Sequence, residues 1–191
     1  HYDCPQRPIG YYSGTPYGNV DIVPIEADSF ANHRLLVACG YNTANSTDTQ
    51  KFSEFVKNGG TLIIGWPQLS TTTERTKVVN LDHEYIIDGG FNFVKDTVDG
   101  NSVTVCDNID YDSVLLYTDN GRPLVTVKDN VYFINAREYA DNPAVDRAYR
   151  KALEIATADC IAKQNIFAVG DDRVQFSIYE NADGTKNIYF M

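Results

Sequence analysis

The chain is short of long apolar runs, of basic residues and of paired cysteine motifs, and each shortage excludes something. No apolar run approaches the roughly 20 residues that a membrane-crossing helix needs, so no span and no membrane partner are expected. The opening HYDCPQ lacks the basic and apolar segments of a secretory leader. Lys and Arg number 16 against 26 Asp and Glu, a formal net charge of −10. With so few cations there is no basic stripe to neutralise phosphates, which removes nucleic acid from the expected partners. Cys4, Cys39, Cys106 and Cys160 form no C-x-x-C pair. All but Cys4 sit in apolar runs, so buried free thiols are expected, with the even count leaving disulfides open. An initiator Met is missing, and NIYFM at the far end stops within a strand-like run. The chain is therefore expected to be part of a longer protein.

What remains is an acidic chain of 191 residues with enough apolar content for a substantial core. Residues 1–19 hold three prolines, three glycines and four tyrosines without a period, as in an ordered arm containing a short PIGYY strand. VDIVPI (20–25) predicts a strand. RLLVAC (34–39), apolar throughout between polar flanks, predicts a strand covered on both faces and central in a parallel sheet. The period then changes. Ser46 or Thr47 can cap a helix whose stripe is Phe52, Phe55 and Val56, and Gly59-Gly60 supplies its stop. TLIIG (61–65) follows as a buried strand, completing a βαβ unit.

Further on, SVTVC, SVLLY, PLVTV and VYFIN read as short strands separated by turns. Pro143 opens a helix with Asn142 as cap and Val145, Tyr149, Ala152, Ala156 and Cys160 on one face, ending near Gln164. RVQFSIY and KNIYFM around Asp183-Gly184 predict a hairpin.

Several residues carry candidate chemistry. Asp82-His83-Glu84 has the composition of a metal cluster, but adjacent residues point apart, which favours a solvated loop. Asp107, Asp110 and Asp112 lack the glycine and distal glutamate of a calcium loop and read as turn chemistry. Asp21, Glu26 and Asp28 contain a conceivable glycosidase pair. Tyr11, Tyr12 and Tyr17, beside Gly14 and Gly18, can present rings to a neighbouring domain or to a sugar, with Asp21 accepting hydroxyl hydrogens. Trp66 is either core or part of a ligand rim in the loop GWPQLS; the loop GYNTANS is the companion position. No metal, no cofactor and no catalytic residue is expected.

The run VDIVPIEADSFANHRLLVACGYNT, the helix, and FVKNGGTLIIG together resemble the class I glutamine-amidotransferase-like domain, in the form found within multidomain bacterial glycoside hydrolases as the β-galactosidase trimerisation domain. The stretch RPLVTVKDNVYFINAREY, the later helix and V-x-F-x-x-Y-E-N-x-D-G are similar to such hydrolases in order. The resemblance implies a flavodoxin-like, doubly wound, mostly parallel α/β domain over residues 19–170. Residues 1–18 would be an arm, and 171–191 the first hairpin of a C-terminal antiparallel β-domain. Only seven residues separate Tyr12 from Val20, so the usual first helix has no room there.

Active amidotransferases place a cysteine in a G-x-C-x-G elbow after the second strand; here the residues are Gly65-Trp66-Pro67-Gln68. Neither Trp66 nor Pro67 can be a nucleophile. The resemblance therefore implies a non-catalytic accessory domain of a β-galactosidase-like hydrolase, acting in packing, oligomerisation or active-site rim shaping. Its expected partners are an upstream catalytic barrel, the downstream β-domain and further copies of itself, in an extracytoplasmic or cell-surface setting. The alternative is a carbohydrate-binding module using Tyr11, Tyr12 and Tyr17, and a third reading makes Asp21 and Glu26 catalytic.

Overall fold

A computed structural model describes residues 22–27, 30–41, 43–69, 91–163 and 176–190. Contacts divide the chain into a unit of residues 25–164 and a second made of residues 1–24 with 165–191.

Within residues 25–164 the elements are β1 (Leu35–Val37), α1 (Ser46–Lys57), β2 (Thr61–Gly65), a short helical turn α2 (Trp66–Leu69), β3 (Phe93–Val98), β4 (Asn101–Cys106), β5 (Ser113–Tyr117), β6 (Pro123–Lys128), β7 (Val131–Ile134) and α3 (Pro143–Lys163). Five strands form one sheet in the order β1-β2-β7-β6-β5. β1, β2 and β7 are parallel neighbours, and β6 runs antiparallel to both β7 and β5. Four strands thus share one direction and β6 opposes them, so the class is mixed α/β with a mostly parallel sheet. β3 and β4 make a separate antiparallel pair.

The βαβ unit forms as the pattern predicts. All five residues of β2 are buried. Phe52, Phe55 and Val56 of α1 are buried as well. The cap, however, is Asn45 rather than Ser46 or Thr47: its side chain accepts from the N–H groups of Thr47 and Asp48, and Asp48 accepts from the Asn45 N–H in return. This reciprocal pair satisfies more open donors than a lone hydroxyl. At the other end Gly59 N–H donates to Val56 O and Gly60 N–H to Phe55 O, a Schellman closure.

The second face of the sheet packs on α3. Ile63, Val125, Tyr132 and Ile134 meet Ala144, Val145, Ala148, Ala152 and Ala156, whose small side chains let the helix lie close. Burial of each large apolar side chain contributes about 2 kcal/mol. Asn142 caps α3 by accepting from Ala144 N–H at 2.9 Å.

Four points differ from expectation. No strand forms over residues 22–25, and Ile22 is exposed there. Among the described residues β1 pairs only with β2 and is an edge strand, not a central one, with Val37 exposed at its end. Leu35 and Leu36, which point to opposite faces, are both half-buried, so the apolar run is partly covered on each face while one edge is open among the described residues. β3 was not foreseen, because Lys95 and Asp96 interrupt its apolar alternation. Cys39, Cys106 and Cys160 are free thiols, but of the three Cys106 is buried, Cys160 half-buried and Cys39 exposed.

In the second unit β8 (Phe176–Glu180) and β9 (Lys186–Phe190) pair antiparallel, with Phe176 opposite Phe190 and Ile178 opposite Ile188. Gly184 takes the left-handed conformation in the connecting turn, as Asp183-Gly184 predicts.

Candidate functional site

In an open α/β sheet the place for a ligand is the crevice beyond the carboxyl ends of the parallel strands. Here four chain segments leave those ends, after β1, β2, β7 and β5. Gly65 closes β2, and a Cβ built on it would lie 3.0 Å from the Tyr149 hydroxyl and 3.3 Å from the Ile134 carbonyl. Any larger residue there would push these neighbours back by a few tenths of an ångström. Trp66 to Leu69 then turn inward, all four buried.

The contacts of this turn fill the crevice. Gln68 Nε2 donates to Gly40 O at 2.7 Å. The Tyr149 hydroxyl lies 2.9 Å from Ala38 O and 3.0 Å from Gln68 Oε1, within donating reach of both. Burial drives the Tyr149 phenol far above its ordinary pKa, with Cys39 adding to the effect, so it stays a neutral donor. Trp66 Nε1 donates to Asn135 Oδ1 at 2.7 Å. Its ring meets Phe91, Phe93 and Phe133 edge-on, at centroid distances of 4.7, 5.4 and 4.9 Å. Trp66 is therefore core and not rim.

The other predicted residues do not converge on chemistry. Tyr11, Tyr12, Tyr17, Asp21, Asp28 and Asp82-His83-Glu84 lie outside the described residues. Glu26 is exposed on a turn. Although Cys39 is exposed as a residue, desolvation around its sulfur pushes the thiol up, away from the thiolate a nucleophile needs. His33 precedes β1 and Cys39 follows it, at opposite ends of that strand, so the two form no pair. Asp107 pairs with Arg122, Asp110 with Lys128, and Asp112 accepts from Asp129 N–H. Asp107 and Asp110 thus make ion pairs with residues distant in sequence, and Asp112 bonds the backbone of the turn between β6 and β7. Among the described residues no group of three His, Cys, Asp or Glu side chains is placed to hold a metal.

A cavity of about 230 Å³ lies at the opposite, amino ends of β1 and β2, lined by Phe30, His33, Arg34, Lys51 and Glu54 among others. Lys51 is committed there to the carbonyls of Ile25 and Ala27 at 3.2 and 2.8 Å. The rim at the carboxyl ends is different in character. Tyr41, after β1, and Tyr139, after β7, bring their rings to 4.6 Å at an interplanar angle of 39°. The charge of Asp141 raises the Tyr41 phenol pKa. Exposed Arg137 lays its guanidinium over Phe93 at 4.9 Å.

No family model matches the chain, and no curated protein does. Among solved structures it is similar to Gan42B, a GH42 beta-galactosidase, with a TM-score of 0.45 and 16% identity over 83% of this chain and 26% of that one. It is also similar to a catalytic mutant of Gan42B from G. stearothermophilus, with a TM-score of 0.43, 15% identity, and 81% and 25% of the two chains covered. The chain thus spans 26% and 25% of these proteins' lengths.

Two polar residues organise this region and were not singled out from sequence. Asn135, fully buried after β7, accepts from Trp66 Nε1 and Cys106 N–H and donates to Cys106 O and Pro123 O. Asp96, buried on β3, accepts from Arg122, Thr118, Asn120 and Thr97 N–H. The readable signal was a polar residue in an inward strand position: Asn135 directly after VYFI, and Asp96 between Val94 and Val98 at period two.

Proposed function

We propose that this chain is a non-catalytic accessory domain of a multidomain glycoside hydrolase of the β-galactosidase type, serving interdomain packing, oligomer contacts or the rim of an active site on a neighbouring domain. One observation carries the non-catalytic part: the strand end where the resembled amidotransferases mount their nucleophile is filled by Trp66–Leu69 and locked by Gln68, Tyr149 and Asn135. A substrate carbonyl has no space there and no nucleophile to meet. The link to hydrolases rests on the sequence run FVKNGGTLIIG and on the order of elements around it.

In this reading the five-stranded sheet belongs to a reduced flavodoxin-like domain over residues 19–170, and residues 1–18 are an arm. The hairpin within 171–191 opens a C-terminal β-domain. Partners are an upstream barrel, that β-domain and further copies of the chain, in an extracytoplasmic or cell-surface bacterial setting. The competing reading, sugar contact through Tyr11, Tyr12 and Tyr17, is supported by the composition of that loop alone.

Assays of the chain with glutamine, p-nitrophenyl esters and aryl glycosides are expected to show no turnover above buffer. Turnover abolished by Cys39→Ala or Glu26→Gln overturns the reading. In the intact parent protein, deletion of residues 1–170 is expected to lower the mass seen by light scattering or to shift KM for aryl glycosides. A deletion that leaves both unchanged overturns the accessory role.

A further inference from the structure

Two asparagines of the chain precede glycine, Asn58 and Asn120, and the fold treats them differently. An Asn-Gly pair is open to attack on itself, because glycine has no side chain to keep its backbone nitrogen away from the asparagine side-chain carbon. Gly59 and Gly121 both take the left-handed conformation with open space around a built Cβ, so the glycines do not distinguish the two pairs. The asparagine side chains do. Asn120 Nδ2 donates to Asp96 Oδ1 at 2.6 Å, and that buried carboxylate also holds Arg122. The same turn is pinned by Gly121 N–H donating to Thr118 O at 3.0 Å and by Arg122 N–H donating to Thr118 Oγ1 at 2.9 Å. The Asn58 side-chain amide, by contrast, makes no hydrogen bond among the described residues. It sits at the end of α1, where Lys57, Asn58 and Gly59 are all exposed, and with Gly59 it borders the cavity at the amino ends of β1 and β2. The side chain therefore has room to turn and water to react with. The Gly59 nitrogen is held by its bond to Val56 O at 2.9 Å, and a bond in the last turn of a helix opens more readily than one in the core.

We propose that Asn58-Gly59 is a site of spontaneous deamidation in the folded protein, and that the bond from Asn120 to Asp96 shields Asn120-Gly121 from the same reaction. The Gly59 nitrogen, giving up its proton to base, attacks Cγ of Asn58. A C–N bond forms, the side-chain nitrogen leaves as ammonia, and a five-membered imide results. Water then opens the ring. Opening at one carbonyl leaves aspartate; opening at the other leaves isoaspartate, with the main chain running through Cβ. One water is consumed and one ammonia released. Aspartate puts a negative charge at the negative end of the α1 dipole. Isoaspartate lengthens the main chain by one atom just before Gly59, which takes the Gly59 and Gly60 N–H groups out of register with Val56 O and Phe55 O. Either product loosens the joint between α1 and β2. At Asn120 the charge-assisted bond to Asp96 must break before the side chain can turn, which slows the reaction there about tenfold or more. The inference stands on this geometry whether or not the chain serves a hydrolase.

The test is timed incubation of the full chain in mildly alkaline buffer, followed by digestion and mass spectrometry of the peptides that carry Asn58 and Asn120. The mass gain of amide to acid, with separate aspartate and isoaspartate peptides, is expected at Asn58 first and at Asn120 about tenfold more slowly or not at all. In concentrated urea the two sites should react at similar rates, since both precede glycine. Asn58→Gln, whose longer side chain cannot close the five-membered ring, should abolish the early signal. The melting temperature should fall with incubation in the original chain and hold in Asn58→Gln. Asp96→Asn, checked by thermal unfolding to be folded, should raise the rate at Asn120 and leave that at Asn58 unchanged. Reaction at Asn120 as fast as at Asn58 in the folded chain overturns the proposal. So does an Asn58 that stays intact when folded but reacts in urea, which would mean that the helix closure protects it. A melting temperature that ignores the modification overturns the loosening of α1.

Discussion

Asp96 is a carboxylate whose side chain is 0% exposed, paired with an Arg122 whose side chain is 34% exposed. Burial alone would raise its pKa, but the bonds from Arg122, Asn120, Thr97 and Thr118 outweigh that and hold it well below the usual carboxylate range. A folded-state pKa below the unfolded one stabilises fully above the unfolded value, about 4. That stabilisation is lost as pH falls from there through the folded value. Asp96→Asn is therefore expected to cost about 2–3 kcal/mol at pH 7 and clearly less at pH 3, as measured by urea unfolding. An equal cost at both pH values would show that the charge contributes nothing. None of this is readable locally. An aspartate inside FVKDTV looks like a strand breaker until Arg122 is brought to it. Trp66, by contrast, was half legible: its place after a buried strand was plain, and the three phenylalanine rings that make it core were not.

Gly59 and Gly60 look alike as a helix stop but act differently in the element. Gly59 has φ of +88° with open space around a built Cβ, whereas a Cβ on Gly60 would lie 2.3 Å from Phe55 Cζ. Left-handed backbone costs a β-carbon roughly 1–2 kcal/mol. Overpacking against a buried ring that cannot swing into water costs about 1–3 kcal/mol and sometimes more. Gly60→Ala is accordingly expected to lower the melting temperature at least as much as Gly59→Ala. A clearly milder Gly60→Ala would mean that the Phe55 ring shifts freely. At this scale much was legible. Periodicity marked α1 and α3, turn residues bounded β4 to β7, and Asn142-Pro143 marked a helix start. β3 escaped because one inward position of its alternation is occupied by an ion pair. The Asp99-Gly100 turn that joins it to β4, with positive φ at both residues, was the overlooked signal.

Across the whole molecule, Asn135 is the point where separate elements are tied together. Its side chain joins the turn after β2, the end of β4 and the start of β6. Asn135→Ala leaves a Trp66 N–H and both Cys106 backbone groups buried without their partners, at a cost of about 3–4 kcal/mol. Denaturant unfolding should register that loss, together with a change in fluorescence from Trp66, the one tryptophan of the chain. A loss below about 1 kcal/mol would mean that water replaces the amide and that the region is less closed than described.

The sequence by itself determined the helices, most strand positions, the glycine stop and the residue types that follow β2, because periodicity, turn chemistry and residue identity act over a few neighbouring positions. Only the tertiary structure decided that β1 lies at an edge, that Asp96 is inside, that Asn135 joins three segments, and that Tyr41 and Tyr139 meet. Each of those depends on which distant segment supplies the partner for a strand edge, a buried polar atom or an exposed ring, and that choice is made by packing rather than by local pattern.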